Sequence, residues 1–358
     1  REHRESAILA ALLEENATRC RPPLPSAEVL RIANNITTLY PPGEAEQSIK
    51  LETKKEVSIP IVTCANTVIQ ENIDWLWYPY LPLGKLCLLG GDPGLGKTWV
   101  ALGIAAAYSL GKWPFLPEGP PSEQTPGVTL FCASEDGTAD TLVPRLATMG
   151  ADLGNIFFLE GKRDFKGELQ RVVLDEEDIL STAITQSKAK LIIFDPFQRF
   201  LPGKTKMNEM ETVSPVVQAL IRVAERTTCS VLLLGHLNKA KQDALGYKFL
   251  GSVDWFAAAR SALMLIRDRE EPLTKRVLYQ IKNSLAPEAS GMGFSLEKGD
   301  HPFQWGTHTT VGAEEMFAAS SSKPNRSRAA ETFLLEALAH GEQRSEDLQQ
   351  QAQSLGIS

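Results

Sequence analysis

Residues 91–98 read Gly91-Asp92-Pro93-Gly94-Leu95-Gly96-Lys97-Thr98, a glycine, four residues, then Gly-Lys-Thr. This pattern constrains the fold more than any other stretch, because it needs a strand before it and a helix after it. Both are written into the chain. Lys85 to Leu89 is a short apolar run expected as a buried strand, and Trp99 to Leu110 is an alanine-rich apolar stretch expected as a helix. A strand, a tight turn and a helix start aim several backbone N–H groups at one point, with the helix dipole behind them. Such a point holds polyphosphate. Lys97 is then expected to reach the β- and γ-phosphates of ATP and the Thr98 hydroxyl to bind Mg²⁺. Gly91 to Thr98, with Trp99 beside them, are the expected nucleotide contacts. A second Gly-Lys-Thr, at 203–205, lacks both the first glycine, since Gln198 stands there, and a leading strand.

The rest of the chain repeats the strand–helix alternation. Strands are expected at 128–133, 156–159, 191–196 and 230–236, with helices after Gly137 through Met149, at 167–187 and at 208–227. This alternation predicts an α/β fold with a mostly parallel central sheet. Strands at 261–266, 276–281 and 292–296 have no helices between them and predict an antiparallel extension. Residues 114–126 are proline-rich and predict a surface loop. Just ahead of the sheet, Trp75, Trp77, Tyr78 and Tyr80 could stack on a base or pack the domain entrance, and packing is favoured because aromatics dominate cores.

Four strand ends carry candidate chemistry. The crossover helices bring Gly91–Thr98, Glu135, Asp195 and His236 to one edge of the sheet. The order resembles the RecA-like P-loop ATPases, and among them the RepA-like hexameric helicases of plasmids and prophages, over roughly residues 75–310. The resemblance implies that Asp195 holds Mg²⁺ with Thr98 and that Glu135, in competition with its neighbour Asp136, polarises the attacking water. It implies that His236 senses the γ-phosphate. It also implies that a cation near the late strands, Lys282 first and Arg260 second, reaches the neighbouring subunit's nucleotide. Many relatives carry Arg after Lys-Asn where this chain has Ser284. Lys239, Lys241 and Lys248 would line a central channel, with Lys204 and Lys206 adding charge, and the partner would be single-stranded DNA threaded through a ring of identical subunits.

The 358 residues suit one large domain with small pieces at each end. Residues 1–43 are expected as a helical segment, in which Ser26 caps the second helix. They resemble the small helical domain that ends many phage and plasmid primase-polymerases, which brings a primase in as a further partner. Residues 44–72 are expected as a linker, 73–312 as the ATPase domain, 313–328 as a second linker, and 329–358 as the opening of a winged helix-turn-helix that stops before its recognition helix. Both ends read as cut. The net charge of −7 excludes a chain that is basic throughout, so nucleic-acid contact must come from local patches or a ring. Five scattered cysteines without Cys-x-x-Cys spacing argue against structural zinc and suit a reducing cytoplasm. No stretch is long and apolar enough to predict a membrane span. The expected activity is ATP-driven DNA unwinding in replication. A filament-forming recombination or repair ATPase and an ATP-binding DNA-binding regulator are the alternatives.

Overall fold

The computed structural model describes residues 2–39, 62–116, 119, 121–122, 124–207, 209–236, 253–268, 271–297, 299–309 and 348. The chain divides into two compact units, Arg1–Gln70 and Glu71–Ser358. In the first, α1 (Glu2–Arg19) and α2 (Ser26–Leu39) form a helical pair. The Asn16 side chain ties the turn between them, accepting from Leu24 N at 2.8 Å and donating to Leu24 O at 2.9 Å. Ser26 is the first residue of α2 rather than its cap. The Pro25 carbonyl ahead of it accepts from Glu28 and Val29.

The second unit opens with β1 (Trp75–Trp77) and β2 (Leu81–Pro82), a short antiparallel pair. The aromatics here pack. Trp77 is fully buried, stacks on Trp113 at 5.2 Å and donates Nε1–H to Phe115 O at 2.8 Å. Tyr80 is equally buried, and burial pushes its hydroxyl up to about 12.

The main sheet follows: β3 (Leu86–Gly91), then α3 (Lys97–Ser109), β4 (Thr129–Ala133), α4 (Val143–Thr148) and β5 (Ile156–Phe158). A small hairpin, β6 (Lys162–Arg163) and β7 (Leu169–Gln170), leads to α5 (Glu177–Ser187), β8 (Leu191–Asp195), α6 (Met210–Thr227) and β9 (Ser230–His236). The last elements are α7 (Val253–Ala258), β10 (Ser261–Arg267), β11 (Lys275–Asn283), β12 (Gly291–Leu296) and β13 (Phe303–Thr309).

The nine strands lie in the order β13-β12-β11-β10-β3-β9-β8-β4-β5. All pairs from β10 to β5 are parallel, and those from β10 to β13 are antiparallel. This is the expected α/β fold. Period-two alternation sorts each central strand between two cores. Leu86, Leu88, Ile192 and Phe194 join α5 and α6 on one face, and Cys87, Leu89, Phe131 and Ile193 join α3 on the other. Strands buried on both faces read as unbroken apolar runs, which is why the sequence announces them.

Two expectations fail. The helix expected over 167–187 begins only at Glu177. Leu169 and Gln170 pair with Arg163 and Lys162 instead, and Val172 and Leu174 are buried from an extended segment, so an apolar spacing that mimics a helix comes from two other structures. The strand β13 goes unpredicted because its burial is irregular: Phe303 is buried while most of its other residues are not.

Candidate nucleotide site

The phosphate loop hangs from the end of β3. Gly94 and Gly96 adopt φ of 77° and 90°, a left-handed backbone that side chains resist and that turns the chain into α3. A Cβ on Gly94 would meet nothing within 4 Å, so that side of the loop faces open space, whereas a Cβ on Gly96 would lie 2.5 Å from Leu296 Cδ1. The loop is therefore open on one side and seated on β12 on the other. Lys97 is buried, and its ammonium donates to the carbonyls of Gly91 at 2.8 Å and Asp92 at 3.1 Å. Burial lowers its pKa, while Asp195, Asp92 and Glu135 pull the other way. The ammonium is thus tied to the backbone of its own loop.

Register brings the other strand ends to the same edge. Asp195 pairs with Ala133, and Ser134 N donates to Asp195 O at 3.2 Å, so Glu135 and Asp136 follow directly above the β8 end. Burial pushes the Asp195 carboxyl up to about 6, against a hydrogen bond from Thr98. Thr98 and Asp195 thus share one contact from facing elements, the hydroxyl-plus-carboxylate pair that suits Mg²⁺ beside phosphate. His236 ends β9 in register with Gly91. The open loop, the buried ammonium and this pair fit a nucleoside triphosphate with its metal.

The two neighbouring acids differ. Asp136 accepts from Arg145 Nη1 at 3.0 Å, and the Arg145 guanidinium lies 4.6 Å from the centre of the Trp99 ring. Glu135 is more open, with Arg199 Nε at 3.5 Å from its carboxylate. Trp99 is therefore half-buried under Arg145, at the start of α3. Neither Arg145 nor Arg199 stands out in the sequence. Each lies outside any motif: α4 returns Arg145 to Asp136 nine residues back, and the register of β4 against β8 brings Arg199 to Glu135.

Lys282 and Arg260 lie elsewhere. Lys282 pairs with Ala262 near the start of β10, and Arg260 N donates to Leu86 O at 2.9 Å. Both therefore sit at the edge where β3 begins, opposite the loop at its end. Lys282 donates to the carbonyls of Phe256 at 2.6 Å and Ala257 at 2.9 Å, near the end of α7. Burial and the Arg260 charge lower its pKa. Arg260 is exposed. Lys204 and Lys206 are exposed beyond β8, Lys206 bonded to Glu209 at 2.8 Å. Lys239, Lys241 and Lys248 lie outside the described residues, as do residues 44–61 of the linker expected at 44–72, the linker expected at 313–328 and nearly all of the expected helix-turn-helix. Among the described residues, no helix is long and apolar enough to cross a membrane.

Fold and site together define a P-loop ATPase of the RecA-like type. The chain belongs to the AAA domain family, whose model matches residues 62–242, half of its length. It is also similar to the DNA repair protein RadA of Chlamydia pneumoniae, at 26% identity over 161 residues. That alignment covers 45% of this chain and 30% of RadA, so the chain spans under a third of that relative's length.

Proposed function

We propose that the chain is a Mg²⁺- and ATP-dependent motor that assembles as a ring of identical subunits and moves along single-stranded DNA, unwinding duplex in the replication of a mobile element. The observation that carries the ATPase part is the convergence of Lys97, Thr98, Asp195 and Glu135 on one sheet edge. Lys97 would turn its ammonium from the loop carbonyls to the β- and γ-phosphates. Thr98 and Asp195 would hold Mg²⁺, which when bound offsets phosphate charge. Glu135 would accept the proton of the attacking water, since Asp136 is committed to Arg145. His236 would read the γ-phosphate from the β9 end. Lys282, with Arg260 behind it, would act on the neighbouring subunit's nucleotide, because the β3 strand separates both from the loop of their own subunit.

The RadA similarity favours a second reading, a DNA-repair ATPase on the same fold. ATP turnover with and without single-stranded DNA, alongside molar mass and strand displacement, separates the two. Strand displacement by a ring supports the motor. Stimulated turnover without displacement supports the repair reading. Lys97→Ala should lose most turnover in either case, and parental activity in that variant removes the site assignment. Glu135→Gln should keep ATP bound and slow hydrolysis by about 10²–10⁴-fold, the usual effect of losing a general base. A slow Asp136→Asn beside a normal Glu135→Gln would reverse the choice of acid.

A further inference from the structure

Arg199 lies against Glu135 and has no task in the proposed chemistry. It stands in the turn Phe197–Phe200, which begins two residues after Asp195. The backbone of that turn is anchored. Arg199 N donates to Pro196 O at 3.1 Å, and Leu174 N donates to Phe200 O at 2.9 Å. Arg171, just past β7, donates to Arg199 O at 2.6 Å and to Leu201 O at 3.2 Å. Phe197 is buried against Trp255, and Phe200 against Phe194. The Arg199 side chain, by contrast, is 66% exposed, and its Nε lies 3.5 Å from the carboxylate of Glu135, whose side chain is 52% exposed.

A carboxylate paired with a guanidinium is drawn toward that charge. It is thus aimed at the arginine. An ion pair this exposed contributes little to folding and breaks readily. That weakness suits a contact that must open during each turnover. Asp136 has its own partner in Arg145, so the pairing of Glu135 with Arg199 is separate from the one over Trp99.

We propose that Arg199 is a positioning residue that restrains Glu135, holding its carboxylate off the attacking water until their exposed ion pair opens. This rests on Glu135 as the proton acceptor. The restraint acts on kcat and leaves nucleotide affinity alone, since Arg199 is not among the residues that hold phosphate.

The test is steady-state ATP hydrolysis by the whole chain in four forms: parent, Arg199→Ala, Glu135→Gln and the double variant, with Arg199→Lys as the charge-keeping control. Arg199→Ala should raise basal kcat by about threefold or more at unchanged KM, an effect of the size expected when a weak exposed ion pair is removed. Arg199→Lys should stay near the parent. The double variant should hydrolyse at the rate of Glu135→Gln, because a restraint has no effect once its target is gone. A kcat for Arg199→Ala that is unchanged or lower, with Glu135→Gln slow, overturns the restraint and leaves the base assignment standing. An equal fold-change in both backgrounds also overturns it, since the arginine would then act through something else. Parental hydrolysis by Glu135→Gln removes the base assignment itself and the restraint with it.

Discussion

Asp195 carries a conflict between folding and chemistry. Its folded pKa is raised to about 6, chiefly by burial, so between pH 4 and 6 the native state keeps a proton that the unfolded chain releases. Stability from this group is therefore greatest below pH 4 and is lost as pH rises through 6. Asp195→Asn cannot ionise and keeps an acceptor for Thr98. It should be more stable than the parent at pH 8 by roughly 1–3 kcal/mol, with the gap closing below pH 4, while losing Mg²⁺-dependent turnover. Mg²⁺ should raise the melting temperature of the parent and leave the variant unmoved. Thermal melts from pH 3.5 to 8, with and without Mg²⁺, measure both. A variant no more stable than the parent at pH 8 would mean that water reaches Asp195 and that burial does not govern it.

At the scale of elements, the parts of the molecule that can be read from the sequence are those whose physics is local. The phosphate loop is legible because a glycine-lined turn between an apolar strand and a helix is required by sterics. The strands β3, β4, β8 and β9 are legible because burial on both faces leaves few polar positions, mostly at their ends. Arg199 is not legible, because its partner is set by strand register, and Arg145 is not, because no motif marks the turn that returns it to Asp136. Lys282 is legible as a cation after a strand and illegible in its contacts, because α7 arrives from about 25 residues away along the chain. There it satisfies carbonyls that a helix end leaves open. Lys282→Ala should accordingly cost about 1 kcal/mol of stability and speed hydrogen exchange in residues 253–258, whether or not a second subunit is present. Unchanged exchange there would show that the lysine spends its time elsewhere, as an interface cation would.

For the whole molecule the question is whether one chain suffices. Lys282 and Arg260 occupy the sheet edge away from their own phosphate loop, so a catalytic role for either requires a second copy. Mixing Lys97→Ala with Lys282→Ala subunits places some intact loops opposite intact lysines. Such mixtures should recover part of the activity that each variant lacks, and trans cations in other NTPases change turnover by about 10³–10⁵. A confirmed mixed assembly that stays inactive, or a full-rate monomer, removes the trans role and leaves Lys282 to α7.

The seat of Gly96 against Leu296 has a consequence for how the protein is made. The strand that the phosphate loop rests on is synthesised some 200 residues after the loop itself. At the usual pace of translation, about 5–20 residues per second, the loop waits about 10–40 s for its support. During that interval the emerging chain carries the phosphate-binding sequence without the surface that shapes it. The nascent chain should thus take up nucleotide well only after β12 has left the ribosome and seated the loop.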